Sequence, residues 1–333
     1  RTVSIESLVR RLDLYALSVK SVEAQTPETR AALSAYAAGV NSRLAEINID
    51  ALGRGAPEMF VFNAPIAPWQ PADSIAIIKL MALQLSSHLE EEVLRARTSL
   101  ILPDENRLRD ILPDVPGSGV AALPRYSALV PGPVPRFAQA SPMPQTQTSP
   151  FKRRGLAGAS NAWAAAPSRS ASGGTLLAND PHLGLTAPSI WYLARLELAS
   201  GGVIGATIPG VPVVMTGRSA TLGWGITSSY LDDQDLFIEK INPDNPEEYQ
   251  TPAGFRPFVT RKSIVEIKDS TPITLTLRWT ENGPVLPGSH YGLSTITPPG
   301  HVVSLAWTAL SPKDTTMSAA IALMGAQTVR AGL

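Results

Sequence analysis

After Leu112 the chain reads "PDVPGSGVAALPRYSALVPGPVPRFAQASPMPQTQTSP", ending at Pro150. A stretch so dense in Pro, Gly, Ser, Thr and Gln can neither sustain a helix nor bury much apolar surface. Whatever folds must therefore fold on its two sides, and the two sides differ in kind.

Before it, apolar residues recur at helical spacing. Residues 4–22 put Ile5, Leu8, Val9, Leu12, Ala16 and Val19 on one face of an expected helix. "PETRAALSAYAAGVNSRLAEI" predicts a second, with Pro27 near its start, and "APWQPADSIAIIKLMALQLSS" a third with Asp73 or Ser74 as N-cap. "EEEVLRARTSLIL" continues or follows it. After Ser160 come short β-branched or aromatic runs divided by Gly, Pro, Asn and Asp: "GTLLAND", "SIWYLARLELAS", "GVIGATI", "VPVVMTGR", "TLGWGIT", "DLFIEKI", "ITLTLRW" and "VVSLAWTAL". "SIVEIKD" and "ITLTLRW" alternate as a half-exposed antiparallel pair would. The expected division is a helical portion over 1–112, a spacer over 113–159 and a β-rich portion over 160–333 that closes on an Ala-rich helical pattern from Met317 to Val329. The chain reads as an internal piece of a longer gene product.

Much chemistry is excluded at once. With no Cys, thiolate catalysis, disulfides and Cys-ligated zinc are ruled out. The four His are not paired at metal-ligand spacing, and His88, His290 and His301 receive no role. Twenty-eight basic residues balance 28 acidic ones, so no global field points to nucleic acid, and no apolar run approaches the length of a membrane span. No G-x-S-x-G elbow, no P-loop and no G-x-G-x-x-G fingerprint is present, and no organic cofactor is expected.

What remains is the junction "GLAGASNAWAAAPSRS" at 155–170. A serine hydroxyl is a poor nucleophile unless a base stands beside it. Cutting the peptide bond between Ala159 and Ser160 would create an α-amino group with a pKa of about 8, able to take the hydroxyl proton directly or through water. Gly158 and Ala159 are small enough to let the hydroxyl approach the preceding carbonyl. On residues alone, a serine at the start of a domain is far more often an ordinary turn residue.

"SNAWAAAPSRSASGGTLLANDPHLG", followed by "APSIWYLARL", "IPGVPVVMTGRSATLGWGITSSYLDDQDLFIEKI" and "VSLAWTAL", resembles the penicillin acylase family of N-terminal-nucleophile hydrolases, which includes penicillin, cephalosporin and acyl-homoserine-lactone acylases. "ALSAYAAGVNSRL" and "APWQPADSI" are similar to that family's α-subunit. The resemblance implies an α+β fold, the αββα sandwich, assembled from α and β segments of one precursor.

It further implies that Ser160 is the nucleophile, exposed by autoproteolysis after Ala159. Ser228 in "WGITSS" would contribute a backbone N–H to the oxyanion hole. His182 in "NDPHLG" would orient the nucleophile's amine through its backbone carbonyl, with Asn179 in the same block. A second oxyanion donor, an Asn, would lie beyond Leu333. Structural calcium is implied at Asp232, the Gln234 carbonyl and Asp235, with Glu90 as the matching glutamate and Glu91 or Glu92 as alternatives. Leu85, Leu183, Val214 and Met215 fall near the expected acyl pocket; being aliphatic or flexible, they favour a fatty acyl chain over phenylacetyl.

The expected reaction is hydrolysis of an N-acylated small molecule, a β-lactam or a homoserine lactone, through an acyl-enzyme in the periplasm or outside the cell. Two other readings remain open: a non-catalytic relative acting as a binding or scaffold protein, and a domain pair joined by a Pro-rich linker. Both predict an intact chain across Ala159–Ser160.

Overall fold

The computed structural model describes residues 2–49, 66–86, 88–102, 104–113, 126–130, 160–184, 187, 189–199, 201–229 and 231–333. Most of the expected spacer, with Lys152-Arg153-Arg154 and Ala159, lies outside the described residues.

The expected helix over 4–22 is two helices, α1 (Thr2–Arg11) and α2 (Leu14–Ala24). Asp13 interrupts them at φ 55°, a left-handed conformation that a short polar side chain tolerates better than most. Its carboxylate accepts from Arg261 Nη2 at 2.5 Å, so the break is anchored. α3 (Pro27–Ile49) begins at the expected proline, where Thr26 Oγ1 accepts the Thr29 N–H at 3.3 Å. α4 (Pro71–Leu85) starts earlier than its expected caps. Pro71 takes the first position, and Asp73 reaches back from the first turn to accept the Gln70 N–H at 2.6 Å, the carboxylate half of a capping box. α5 (His88–Ile101) and α6 (Glu105–Ile111) follow.

After Ser160 the strands are β1 (Asn161–Ala165), β2 (Leu176–Asp180), β3 (Tyr192–Leu198), β4 (Gly201–Thr207), β5 (Thr216–Arg218), β6 (Gly223–Trp224), β7 (Gln234–Lys240), β8 (Glu248–Thr251), β9 (Gly254–Pro257), β10 (Val259–Val265), β11 (Ile273–Thr280), β12 (Gly283–Leu286) and β13 (His301–Trp307). Two helices, α7 (Thr316–Gly325) and α8 (Val329–Gly332), come last. "VPVVM", expected as strand, is instead a buried loop: Thr207 Oγ1 donates to the Val211 and Val213 carbonyls, supplying contacts a ladder would otherwise make.

The chain divides into two compact units. One comprises 1–14, 82–152 and 229–311. In it β10, β11, β12, β13 and β7 form an antiparallel five-stranded sheet in that order, and β8 pairs with β9. α1 packs across β10, β11 and β12, placing Leu8 and Leu12, one turn apart, among Leu286, Leu293, Val303 and Leu305. α5 packs on β7. The expected β10–β11 pair is antiparallel, with its outward positions exposed.

The other unit comprises 15–81, 153–228 and 312–333. It holds the β1–β2 hairpin, the antiparallel sheet β3-β4-β5-β6, and a core in which Leu33 and Ile75 from before the spacer meet Ile208, Val211, Val213 and Met317 from after it. Gly205 and Gly217 face each other across β4 and β5 with the Val214 side chain over both; a Cβ on Gly205 would sit 2.1 Å from the Thr216 carbonyl oxygen.

Candidate active site

Ser160 immediately precedes β1, and the antiparallel β1–β2 register sets Asn161 against Asp180 and Ala162 against Asn179. The hairpin therefore brings the end of β2 back beside its own beginning. Past Asp180, Pro181 turns the chain, and the His182 backbone N–H donates to Ser160 Oγ at 3.3 Å. A backbone donor aimed at this oxygen favours negative charge on it. His182 Nε2 lies 3.0 Å from Asp180 Oδ2, which fixes the ring over the turn. This contact runs from the His182 amide to the Ser160 hydroxyl; the expected role of the His182 carbonyl concerns the Ser160 amine, a different atom.

Asn179 points its amide toward the segment leaving β6. Nδ2 donates to the Ile226 carbonyl at 3.0 Å and to the Asn161 carbonyl at 2.8 Å, and Oδ1 accepts the Ile226 N–H at 3.1 Å. Ser228, exposed, stands two residues beyond Ile226. The same segment is tied at its start: Trp224 pairs with Gly217 and its Nε1 donates to the Val214 carbonyl at 3.0 Å. His182 is hydrogen-bonded to Ser160, and Asn179 to Asn161, the next residue, and to Ile226.

The four residues expected at the acyl pocket have different surroundings. Val214 is a core residue, 3% exposed, packed with Val203 and Trp224. Met215 is half-buried against the core cluster around Leu33 and Ile75. Leu183 is half-buried in the turn after His182. Leu85, 54% exposed at the end of α4, belongs to the first compact unit, the other three to the second.

The acidic residues of "LDDQDLF" fall in the first unit, beside α5. Gln234 is 2% exposed, and its Oε1 accepts the Leu89 N–H at 2.9 Å, satisfying a donor in the first turn of that helix. Asp233 accepts from Trp307 Nε1 at 3.0 Å and holds the end of β13. Burial, then the charges of Asp232 and Asp235, push the Glu92 carboxyl up to about 7 against the pull of Arg95. Asp232 is raised as well, by burial and then by Asp235. The three carboxylates offer the oxygen donors calcium takes. Among the described residues, however, no three acidic or histidine side chains converge closely enough to hold an ion.

The penicillin amidase family model matches residues 1–332. The chain is 29% identical over 313 residues to acyl-homoserine lactone acylase QuiP of Pseudomonas syringae pv. tomato, which covers 91% of this chain and 36% of that protein. It is 28% identical over 292 residues to penicillin acylase 2 proenzyme of a Pseudomonas species, covering 84% of this chain and 36% of that protein. The chain thus spans about a third of the length of these curated relatives. A solved thermostable penicillin G acylase from Alcaligenes faecalis superposes on 51% of this chain and 30% of its own, with a TM-score of 0.46 and 24% identity. With its full length matched by the family model, this chain belongs to the penicillin amidase family.

Proposed function

We propose that this protein is a self-processing amidohydrolase that cleaves the N-acyl amide of a small molecule, an acyl-homoserine lactone in preference to a β-lactam antibiotic. The observation that carries the reading is the hydrogen bond from the His182 N–H to Ser160 Oγ, at the head of a hairpin that Asn179 ties to the Ile226–Ser228 segment.

In this reading the bond between Ala159 and Ser160 is cut, and the α and β segments of the one precursor stay associated. The new α-amine takes the Ser160 proton as Oγ attacks the substrate carbonyl. The backbone N–H at Ser228 supports the oxyanion, while the protonated amine returns its proton to the departing amine. Water then hydrolyses the Ser160 ester and frees the acid. Leu183 and Met215 favour an aliphatic acyl chain, since neither offers an aromatic face.

Calcium is part of the proposal, held by Asp232, Asp235 and the Gln234 carbonyl with Glu92 in the place expected of Glu90, although in this structure those carboxylates do not converge closely enough to hold an ion. The mutual repulsion of those carboxylates is what a divalent cation would relieve. Its role would be structural, with no part in the reaction at Ser160. Among the described residues no helix is long and apolar enough to cross a membrane. A place in the periplasm or outside the cell is proposed from the family resemblance alone.

The test is hydrolysis by the purified full-length product of a homoserine-lactone series with acyl chains of increasing length, alongside benzylpenicillin. The reading predicts release of free homoserine lactone and an acyl adduct on the peptide beginning at Ser160, with neither in Ser160→Ala. Turnover that survives Ser160→Ala contradicts it. A folded protein with no turnover of any amide favours a binding or scaffold role.

A further inference from the structure

The Asn179 side chain does what backbone does elsewhere in these sheets. Nδ2 donates to the Ile226 carbonyl and Oδ1 accepts the Ile226 N–H, so one amide side chain supplies both halves of a ladder rung. The second Nδ2 hydrogen goes to the carbonyl of Asn161, the residue directly after Ser160. Both donors of the amide are thereby used. β6 ends at Trp224, and no strand pairing joins β2 to the chain beyond it among the described residues.

A backbone ladder would hold the two segments about 4.8 Å apart. A side-chain amide interposed between them sets a wider separation. Gly225 limits that separation too: a Cβ there would lie 3.2 Å from Asn179 Cβ and Cγ and 3.3 Å from Ala162 Cβ, tight enough that the segment or its neighbours must give by a few tenths of an ångström. One side chain and one missing side chain thus fix the same gap.

We infer that Asn179 and Gly225 act as a spacer pair, positioning the backbone N–H groups at Thr227 and Ser228 relative to Ser160 Oγ and leaving room between them for the carbonyl of an N-acyl amide. Neither residue takes part in bond making. Asn179, grouped with the catalytic residues on sequence, is thereby a positioning residue. The inference rests on the acylase reading of Ser160.

A misplacement of about 1 Å in such a site costs on the order of a hundredfold in rate, comparable to removing one oxyanion donor. The experiment compares the processed full-length enzyme with Asn179→Ala, Asn179→Asp and Gly225→Ala. It measures kcat and KM on an acyl-homoserine lactone, and the affinity of an alkyl boronic acid that forms a tetrahedral adduct on Oγ. Both Asn179 variants should lose about a hundredfold in kcat with KM little changed, and boronate affinity should fall in step with kcat. Asn179→Asp should not rescue, because its carboxylate faces two carbonyl oxygens. Gly225→Ala keeps every hydrogen-bonding group, so it tests the gap even where Asn179→Ala fails to mature, and the same split is expected.

Unchanged kcat in either Asn179→Ala or Gly225→Ala overturns the inference, as does a loss carried by KM alone. A wild-type protein that neither matures nor hydrolyses amides removes the acylase reading and this one together. A wild-type enzyme that does both, with variants equal to it, removes this one alone.

Discussion

Lys79 Nζ lies 2.8 Å from Asp314 Oδ2, with the lysine side chain 1% exposed and the aspartate 17%. The lysine belongs to α4, before the spacer; the aspartate precedes α7, near the end of the chain, and also accepts from the Thr316 N–H and Oγ1. Gln25 closes the same corner, donating to the Ser21 and Asp314 carbonyls and accepting from Ser318. A buried ion pair is costly to break from one side, because the remaining charge stays desolvated after its counter-charge is gone. Asp314→Ala should cost about 3–5 kcal/mol in a denaturant titration, and a loss below about 1 kcal/mol would mean that the pair behaves as a surface contact.

The same pair gives a pH dependence. Burial opposes the Asp314 charge, but the Thr316 donors and the Lys79 ammonium outweigh it and hold the carboxyl below the ordinary aspartate value. A depressed folded pKa stabilises above the unfolded value of about 3.9, and the contribution is lost as pH falls through the folded value. Wild type should therefore lose stability below about pH 4 more steeply than Asp314→Asn. Parallel pH profiles of Tm would contradict this.

Gly205 and Gly217 permit a close backbone approach between β4 and β5. Gly205→Ala would place a Cβ 2.1 Å from the Thr216 carbonyl and 2.6 Å from Val214 Cγ1. Overpacking of that kind costs up to about 3 kcal/mol, read as a lowered denaturation midpoint. Gly254→Ala, with nothing within 4 Å of its added Cβ but a φ of +109°, should cost only the backbone strain, of order 1–2 kcal/mol.

Calcium binding, if carried by Glu92, separates two neighbouring carboxylates. Adding calcium to chelator-treated full-length protein should raise Tm, and Glu92→Gln should abolish most of that rise while Glu90→Gln leaves it largely intact. The reverse ranking would return the role to Glu90, and no rise in wild type would remove the metal.

Leu183 tests the acyl preference. Leu183→Phe should lower kcat/KM for long aliphatic acyl chains more than for short ones, by about tenfold for a loss near 1.4 kcal/mol. Equal effects across chain lengths would take Leu183 out of the pocket.

The helices before the spacer and the strands after it were legible because apolar spacing reports burial directly. The misreadings have local causes. A single helix over 4–22 fails at Asp13, where left-handed backbone and the Arg261 contact override a continuous apolar stripe. "VPVVM" is β-branched like a strand but is held by the Thr207 hydroxyl, a tertiary contact that sequence does not reveal. At the site, Ser160, Asn179 and His182 were named from the family resemblance of one contiguous block, and the β1–β2 hairpin folds that block onto itself. The compact units interleave segments from both sides of the spacer, which no local pattern reports. Gly225 carried no chemical signal: its significance is the side chain it lacks.

The central claim is that Ser160 becomes a chain end, and intact mass with N-terminal sequencing of the expressed full-length product tests it most directly. The account predicts two fragments, one beginning Ser-Asn-Ala-Trp, and a single chain for Ser160→Ala. A folded wild-type protein that stays uncut between Ala159 and Ser160 would contradict it.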